Sequence, residues 1–195
     1  MPDYYVDGEE KFGLLTTSFY SIFAWRLLKK LYNFAIYEFE GLSPETILDI
    51  GAGPGRLTAM VAKKFPDAQV YAIDPSKYMV DAERKLFKKE NLRCTCEQGS
   101  SRDIPFNINF DLIFSSLSFH HWKDREKSLE YILGRLNKGG VFIIIEYYNE
   151  YYKSNLSAYK RHSLSKKYAE SLNYDGYEKT IDVRGNLIAL KFKKI

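Results

Sequence analysis

The sequence predicts an α/β fold, in which a mostly parallel sheet carries helices on both faces. Strand-like apolar runs alternate with amphipathic, helix-like segments from residue 46 onward, as in chains that build parallel sheets. The chain then ends in two strand-like segments, residues 177–183 and 187–192, separated by Arg184, Gly185 and Asn186. This is the pattern of a hairpin, so the last strand is expected to run antiparallel to its neighbours.

The first predicted element is a long helix over residues 18–39. Apolar residues recur there three or four positions apart and give one broad apolar face: Phe19, Phe23, Leu27, Leu31 and Phe34. Gly41 ends this helix, and residues 43–45 turn into the first strand. We expect residues 1–42 to form a helical cap over the site and residues 43–195 to form the core of a single domain.

The remaining elements alternate along the chain. Strands are expected at residues 47–50, 70–74, 94–97, 111–114 and 141–145. Helices are expected from about residue 56, and at residues 75–89, 124–136 and 157–172. Residues 138–140, with two glycines, are interpreted as the turn into the fifth strand.

Composition is that of an ordinary globular protein, with 45% apolar and 28% charged residues. The acidic start does not resemble a signal peptide, and the longest uncharged stretch, residues 13–25, is too short to span a bilayer. We therefore expect a cytoplasmic protein. The net charge of +4 is spread along the chain, which favours solvated helix faces over a nucleic-acid surface.

The cysteines do not point to a disulfide or a metal. Cys94 and Cys96 stand two apart on one predicted strand, a poor geometry for a disulfide, so both are expected to be free thiols. None of the histidines, His120, His121 and His162, lies at ligand spacing from them, and no metal is expected.

Residues 47–55, Ile-Leu-Asp-Ile-Gly-Ala-Gly-Pro-Gly, predict a nucleotide site. An apolar run containing Asp49 leads into Gly51, Gly53 and Gly55, and a helical segment follows. Glycines allow positive φ and close approach of a ligand, and a helix start favours anionic groups. The next strand ends in Asp74, at the distance where an acid holds ribose hydroxyls. The alternative is that both acids only cap a turn and a helix.

These residues resemble the first motif of the class I S-adenosylmethionine (SAM) dependent methyltransferases. Dinucleotide binders use Gly-x-Gly-x-x-Gly, and Arg56 stands where their third glycine would be, so an NAD(P)-dependent oxidoreductase is less favoured. The resemblance runs from residue 46 to the C-terminus. It implies a doubly wound, seven-stranded sheet and SAM as cofactor, with Asp49 helping to hold the ammonium of SAM and Asp74 binding its ribose.

A second segment extends the resemblance to the adenine. Residues 99–106 resemble the family segment Gly-Asp-Ala-x-x-Leu-Pro-Phe, in which the residue after glycine binds the adenine amine together with the next N–H. Here Ser100 and Ser101 occupy these positions, so a shorter hydroxyl replaces the usual acid; a plain loop is the alternative. Met79 lies where the family packs an apolar side chain on adenine, and a core role explains it equally well.

Residues 110–122 resemble the fourth motif of small-molecule methyltransferases, a group that includes quinone C-methyltransferases. The resemblance implies that Ser115 and Ser116 line the cofactor near its sulfonium through backbone carbonyls. His120 and His121 are candidate general bases, unless one orders the loop and the other faces solvent. The ring of Tyr20 is a candidate contact for the methyl-bearing cation, although core packing would also explain it.

The resemblance implies methyl transfer from SAM, most simply to a small molecule, because no inserted domain offers a larger recognition surface. Neither the Asn/Asp-Pro-Pro-aromatic arrangement nor the Pro-Cys nucleophile of nucleobase methyltransferases follows the fourth strand. Substrate selection is expected from the N-terminal helix and from the tyrosine-rich residues 147–152. The alternatives are a methyltransferase acting on RNA or protein, and a catalytically weak SAM-binding protein, since Ser100 replaces the acid.

Overall fold

The structure is built around one eight-stranded sheet. The computed structural model describes residues 23–151 and 163–195. Its strands are Thr46–Ile50 (β1), Gln69–Asp74 (β2), Cys94–Gln98 (β3), Phe110–Ser116 (β4), Leu136–Tyr148 (β5), Ser163–Leu164 (β6), Tyr177–Arg184 (β7) and Leu187–Lys194 (β8). Seven of them follow the order β3-β2-β1-β4-β5-β8-β7, and β6 pairs with the end of β5. Strands β1 to β5 are mutually parallel, whereas β8 is antiparallel to β5 and β7, which confirms the predicted sheet.

The described helices are Phe23–Glu38 (α1), Arg56–Lys64 (α2), Lys77–Lys89 (α3), Arg125–Gly134 (α4) and Lys166–Ser171 (α5), with 3₁₀ turns at Phe119–His121 and Asn149–Tyr151. Of the helix expected at residues 157–172, residues 157–162 lie outside the described residues; within the described part, β6 occupies residues 163 and 164 and the helix covers Lys166–Ser171. The first residues of the predicted N-terminal helix, including Tyr20, lie outside the described residues. The cap formed by residues 1–42 stays a prediction.

Helices cover both faces of the sheet because strand side chains alternate in direction. In β5, Phe142 and Ile144 belong to the apolar core that includes residues of α4 and α5. Their neighbours Ile143 and Ile145 belong to the opposite core, with α1 and α2. This two-sided burial explains why residues 141–145 read as a continuous apolar run. In the described part of the chain, no helix is long and apolar enough to cross a membrane.

The turn predicted at residues 138–140 was wrong, because these residues lie inside β5. The pairing of β4 with β5 shifts register between Phe110 and Leu112, which accommodates an irregularity there. Gly139 has a φ of +75°, and a Cβ on Gly140 would lie 2.9 Å from the carbonyl oxygen of Phe110. The glycines thus allow the strand to bend past its neighbour rather than end.

The C-terminal hairpin is as predicted. Arg184 and Leu187 are paired across β7 and β8, so only Gly185 and Asn186 form the connection. Gly185 has a φ of +58°, as the tight turns of two-residue hairpins require.

Candidate active site

The carboxyl ends of the adjacent parallel strands β2, β1, β4 and β5 meet at one edge of the sheet, where open α/β folds bind ligands. Most of the candidate residues follow or end these strands. The turn containing Gly51, Gly53 and Gly55 follows β1, and Asp74 ends β2. Ser115 and Ser116 end β4, and the 3₁₀ turn with both histidines comes directly after it. The sheet order therefore brings the predicted motifs together.

The glycine turn after β1 is built from left-handed backbone. Gly51, Gly53 and Gly55 have φ values of 75°, 58° and 76°. Other residues adopt this conformation at a cost of about 1–2 kcal/mol each. The turn is anchored to the next strand, since the N–H groups of Gly51 and Ala52 both donate to the carbonyl of Ile73, at 2.8 and 3.1 Å.

The three glycines face different surroundings. A Cβ on Gly51 would lie 2.0 Å from the Ser118 hydroxyl, and one on Gly55 would lie 2.9 Å from Cγ of Glu83. A Cβ on Gly53 would have no atom of the described residues within 4 Å. Gly51 and Gly55 therefore allow packing inside the protein, whereas no described residue fills the space beside Gly53.

Asp74 binds two backbone groups at this turn. Its Oδ2 accepts a hydrogen bond from the Gly53 N–H at 2.9 Å, and its Oδ1 accepts one from the Ser76 N–H at 2.8 Å. Burial raises the pKa of Asp74 to about 6, against the lowering effect of these hydrogen bonds. The capping role left open by the sequence is thus present. A carboxylate oxygen has two lone pairs, so both oxygens keep capacity for ribose hydroxyls.

Asp49 lies deeper in the same site and is only 2% exposed. Its Oδ2 accepts a 2.6 Å hydrogen bond from the hydroxyl of Thr58, on α2. Burial raises the pKa of Asp49 to about 7, and the nearby charge of Asp74 adds to the shift while Thr58 opposes it. Sequence reasoning missed Thr58, which is a fully buried polar residue on the first turn of the helix after the glycines. In the sequence, only its position three residues after Gly55 could have indicated it.

A third buried acid, Glu83 on α3, was also missed. Glu83 is fully buried beside Gly55, and burial raises its pKa well above the usual value, with further contributions from the charges of Asp74 and Asp49. This favours its protonated form. In the sequence, Glu83 could have been identified by its position on the apolar face of α3, between Val80 and Phe87.

Two of the residues expected near an adenine, Ser100 and Ser101, follow β3, and the third, Met79, lies on α3. The hydroxyl of Ser100 accepts a 3.2 Å hydrogen bond from the Arg102 N–H. The Ser101 hydroxyl lies 3.2 Å from that of Ser128, on α4. Met79, on the first turn of α3, is 4% exposed. Sequence reasoning missed Gln98, whose amide donates to the carbonyl of Pro75 at 2.8 Å.

The chain turns sharply after β4. Ser115 is fully buried, and its hydroxyl has no hydrogen-bond partner in the described part of the chain, while Ser116 is half-buried. Leu117 adopts a φ of +50°, a strained conformation for a side chain of this size. Its N–H donates to the carbonyl of Ile145, which holds the turn against β5. The turn carries His120 and His121 over the end of that strand.

His120 is paired with an acid that the sequence analysis did not identify. Its Nδ1 lies 2.8 Å from Oε2 of Glu146, near the end of β5. The side chain of His120 is 6% exposed and that of Glu146 is 0% exposed. His121 is half-buried, with its ring centroid 4.0 Å from that of His120. In the sequence, Glu146 could have been identified only as a single acid directly after the apolar run 141–145.

The residues at this edge fit SAM. The described residues leave space beside Gly53, and the carboxyls of Asp49 and Asp74 suit an ammonium group and a pair of ribose hydroxyls. In the described residues no group of three or more His, Cys, Asp or Glu side chains is arranged to hold a metal ion. Cys94 and Cys96 are both free thiols.

Sequence comparisons identify the same domain. Residues 47–140 match a family model described as a methyltransferase domain. A protein of Staphylococcus carnosus described as an uncharacterized methyltransferase is 33% identical over 132 residues, which make up 66% of this chain and 60% of that protein. The chain spans between 33% and 60% of the length of the first curated relatives that it matches.

Structural comparisons agree on the fold. A putative S-adenosyl-L-methionine-dependent methyltransferase from Methanococcus maripaludis has a TM-score of 0.78 and 22% identity, covering 97% of each chain. The plantazolicin methyltransferase BpumL, in complex with a pentazolic desmethylPZN analog and S-adenosylhomocysteine (SAH), has a TM-score of 0.73 and 16% identity, covering 92% of this chain and 89% of its own. Residues 47–140 therefore match a methyltransferase domain, and the described chain has the fold of these SAM-dependent methyltransferases.

Proposed function

We propose that this protein transfers a methyl group from SAM to a small molecule by in-line displacement. One observation carries the proposal: the glycine turn, the buried acids Asp49 and Asp74, and His120 all lie at the carboxyl edge of four adjacent parallel strands. A cofactor held by the glycine turn, Asp49 and Asp74 would have its reactive end beside His120. Placement and exclusion of water supply most of the acceleration that such a displacement needs.

The residues proposed to hold SAM each serve one part of it. Asp74 would bind the ribose hydroxyls through its remaining lone pairs, and Asp49 would attract the ammonium from behind the turn. The other proposed contacts belong to the glycine turn or would lie beside the adenine or the sulfonium of SAM: Gly51, Gly53, Gly55, Met79, Ser100, Ser101, Ser115, Ser116 and Tyr20. When bound, SAM supplies an electrophilic methyl group on a sulfonium, which leaves as the neutral thioether of SAH.

Two histidines are proposed to act on the acceptor. His120 and His121 follow β4 directly, beside the proposed methyl-donating end of the cofactor. A neutral imidazole is a suitable base near pH 7 for an acceptor that must lose a proton. The exposed ring of Tyr151, after β5, would contribute to substrate selection at the same edge.

The charge distribution supports a small acceptor over a nucleic acid. Several lysines and arginines of the described helices are paired with acids close by, so they do not form a separate basic surface. These pairs are Lys63 with Glu90, Lys77 with Asp81, Arg84 with Glu97 and Lys166 with Glu170. The structurally similar BpumL is likewise described with analogs of desmethylPZN rather than with a nucleic acid.

The proposal is tested first by cofactor binding. Calorimetry with SAM and SAH is expected to give micromolar-range affinity for the wild type, which is typical of such sites. Binding of NADH with comparable affinity, and none of SAM, would overturn the proposal in favour of an oxidoreductase.

Methyl transfer is tested with isotope-labelled SAM and fractionated cell extract. Label is expected in the small-molecule fraction and not in RNA or protein. Label in RNA, with binding to a generic RNA that weakens steeply as salt rises, would identify a macromolecular acceptor instead. His120→Ala and His121→Ala then show which imidazole matters, since loss of a general base lowers turnover by about 10²–10⁴ while SAM affinity stays unchanged.

A further inference from the structure

We infer that Glu146 is a positioning residue, which holds His120 in the tautomer that accepts a proton from the methyl acceptor. The acceptor would then be a protic nucleophile, a hydroxyl, a thiol or an acidic C–H group, and not a carboxylate. This inference rests on the proposed function, which assigns the acceptor to this edge of the sheet.

Burial makes Glu146 an unusual residue for its position. It follows five buried apolar residues, 141–145, and is itself fully buried. An ionised carboxylate in such surroundings costs several kcal/mol unless it is well paired. One oxygen meets His120, while the other, Oε1, has no hydrogen-bond partner among the described residues. Fold stability alone explains this placement poorly, so a role in the site is the better account.

The backbone around His120 is held as firmly as its ring. The guanidinium of Arg125 donates a 2.7 Å hydrogen bond to the carbonyl of His120. Two residues before the 3₁₀ turn, the N–H of Leu117 donates to the carbonyl of Ile145, which directly precedes Glu146. The imidazole and the carboxylate are therefore carried by two segments that are joined to each other. Such a pair is preorganised for chemistry.

The contact with Glu146 determines which nitrogen of His120 is basic. An ionised Glu146 has no proton to give, so in this contact Nδ1 would carry the hydrogen and donate it to Oε2. The lone pair of the neutral ring is then on Nε2, which is the atom that would take a proton from the acceptor. The resulting imidazolium would be stabilised by the carboxylate, as in other base–acid pairs of this kind.

The proton balance defines the class of acceptor. The acceptor's X–H bond breaks, its proton goes to Nε2, and its electron pair forms the new bond to the methyl carbon as SAM becomes SAH. A carboxylic acid is already ionised at neutral pH and needs no base. A phenol, an enol, a thiol or an acidic C–H group keeps its proton there and gains from one. The buried pair therefore fits acceptors of the second kind.

The tautomer is tested by ¹⁵N NMR of the unliganded full-length protein, which contains three histidines. His120→Gln assigns the signal. We expect the Nδ1–H tautomer in the wild type and a shift toward the Nε2–H tautomer in Glu146→Gln, whose amide can donate to Nδ1. Glu38→Gln is the matched control: Glu38 is also buried and paired, but with Lys191 at the hairpin, so His120 should be unchanged. An Nε2–H tautomer in the wild type would overturn the inference.

The acceptor class is tested with labelled SAM and two sets of probes, 2-naphthol, phenylmethanethiol and acetylacetone against benzoate and trans-aconitate. We expect turnover of the first set, lowered about 10²–10⁴-fold by Glu146→Gln, with SAM affinity unchanged by calorimetry. Preferred methylation of the carboxylates, or a loss below about threefold in Glu146→Gln, would overturn the inference. A wild type that binds no SAM would instead overturn the proposed function, and the tautomer measurement would still decide the role of Glu146.

Discussion

Asp74 accepts a hydrogen bond from the N–H of Gly53 at 2.9 Å, so the acid at the end of β2 holds the middle of the glycine turn after β1. The same carboxylate accepts from the N–H of Ser76, which precedes α3. One buried side chain thus joins the turn and the helix that frame the proposed cofactor site. A substitution at Asp74 should therefore affect stability and cofactor affinity separately.

The first prediction concerns Asp74→Asn. A carboxamide has one acceptor oxygen, so one of the two backbone N–H groups would face an NH₂ group and lose its partner. We expect a loss of about 1–3 kcal/mol in the free energy of unfolding, and at least about a tenfold loss of SAM affinity. Urea denaturation and calorimetry measure the two effects. Asp81→Asn, on the exposed side of α3, should change neither; wild-type SAM affinity in Asp74→Asn would contradict the ribose contact.

The second prediction compares Gly53→Ala with Gly185→Ala. Both glycines have a φ of +58°, and at both a Cβ would have no described atom within 4 Å. Each substitution should therefore cost the same backbone strain, about 1–2 kcal/mol of stability. Only Gly53 lies in the proposed site, so only Gly53→Ala should lose SAM affinity. Equal calorimetric affinities for the two variants would show that the ligand does not approach the turn at Gly53.

The fold could be predicted from sequence because its signals are local. The alternation of strands and helices, the glycine turn and the two-residue hairpin each depend on residues within one short segment. The turn at residues 138–140 was misread because a glycine pair inside a strand looks the same as one that ends it. Only the register shift against β4 distinguishes the two.

The site was predicted less completely because its hydrogen bonds join distant segments. Nothing in the sequence pairs His120 with Glu146, 26 positions later, until β4 and β5 lie side by side. Likewise the glycines of the turn look alike in sequence. Only the folded chain shows that Gly55 packs against Glu83 while the space beside Gly53 is open.

The third prediction concerns Ser100→Asp. The hydroxyl of Ser100 already accepts from the Arg102 N–H at 3.2 Å, and a carboxylate at this position could keep that contact with one oxygen. The second oxygen would reach further toward the amine of a bound adenine. We expect tighter SAM binding by calorimetry, while Ser101→Asp, whose side chain meets Ser128, should weaken binding or stability. Unchanged or weaker binding in Ser100→Asp would show that the adenine is held elsewhere.

The last prediction is a pH dependence of opposite sign for stability and for cofactor binding. Burial raises the pKa of Asp74 to about 6 and that of Asp49 to about 7, from an ordinary value of 3.8. Between about pH 4 and 7 the folded state then holds more protons than the unfolded state, so these groups stabilise the unliganded protein at low pH and lose that contribution as pH rises. SAM affinity should rise over the same window, because the ionised acids attract its ammonium and accept from its ribose. Urea denaturation at pH 5 and 7.5 should show a smaller pH effect in Asp49→Asn than in the wild type, and a wild-type SAM affinity that falls between these pH values would contradict the assignment.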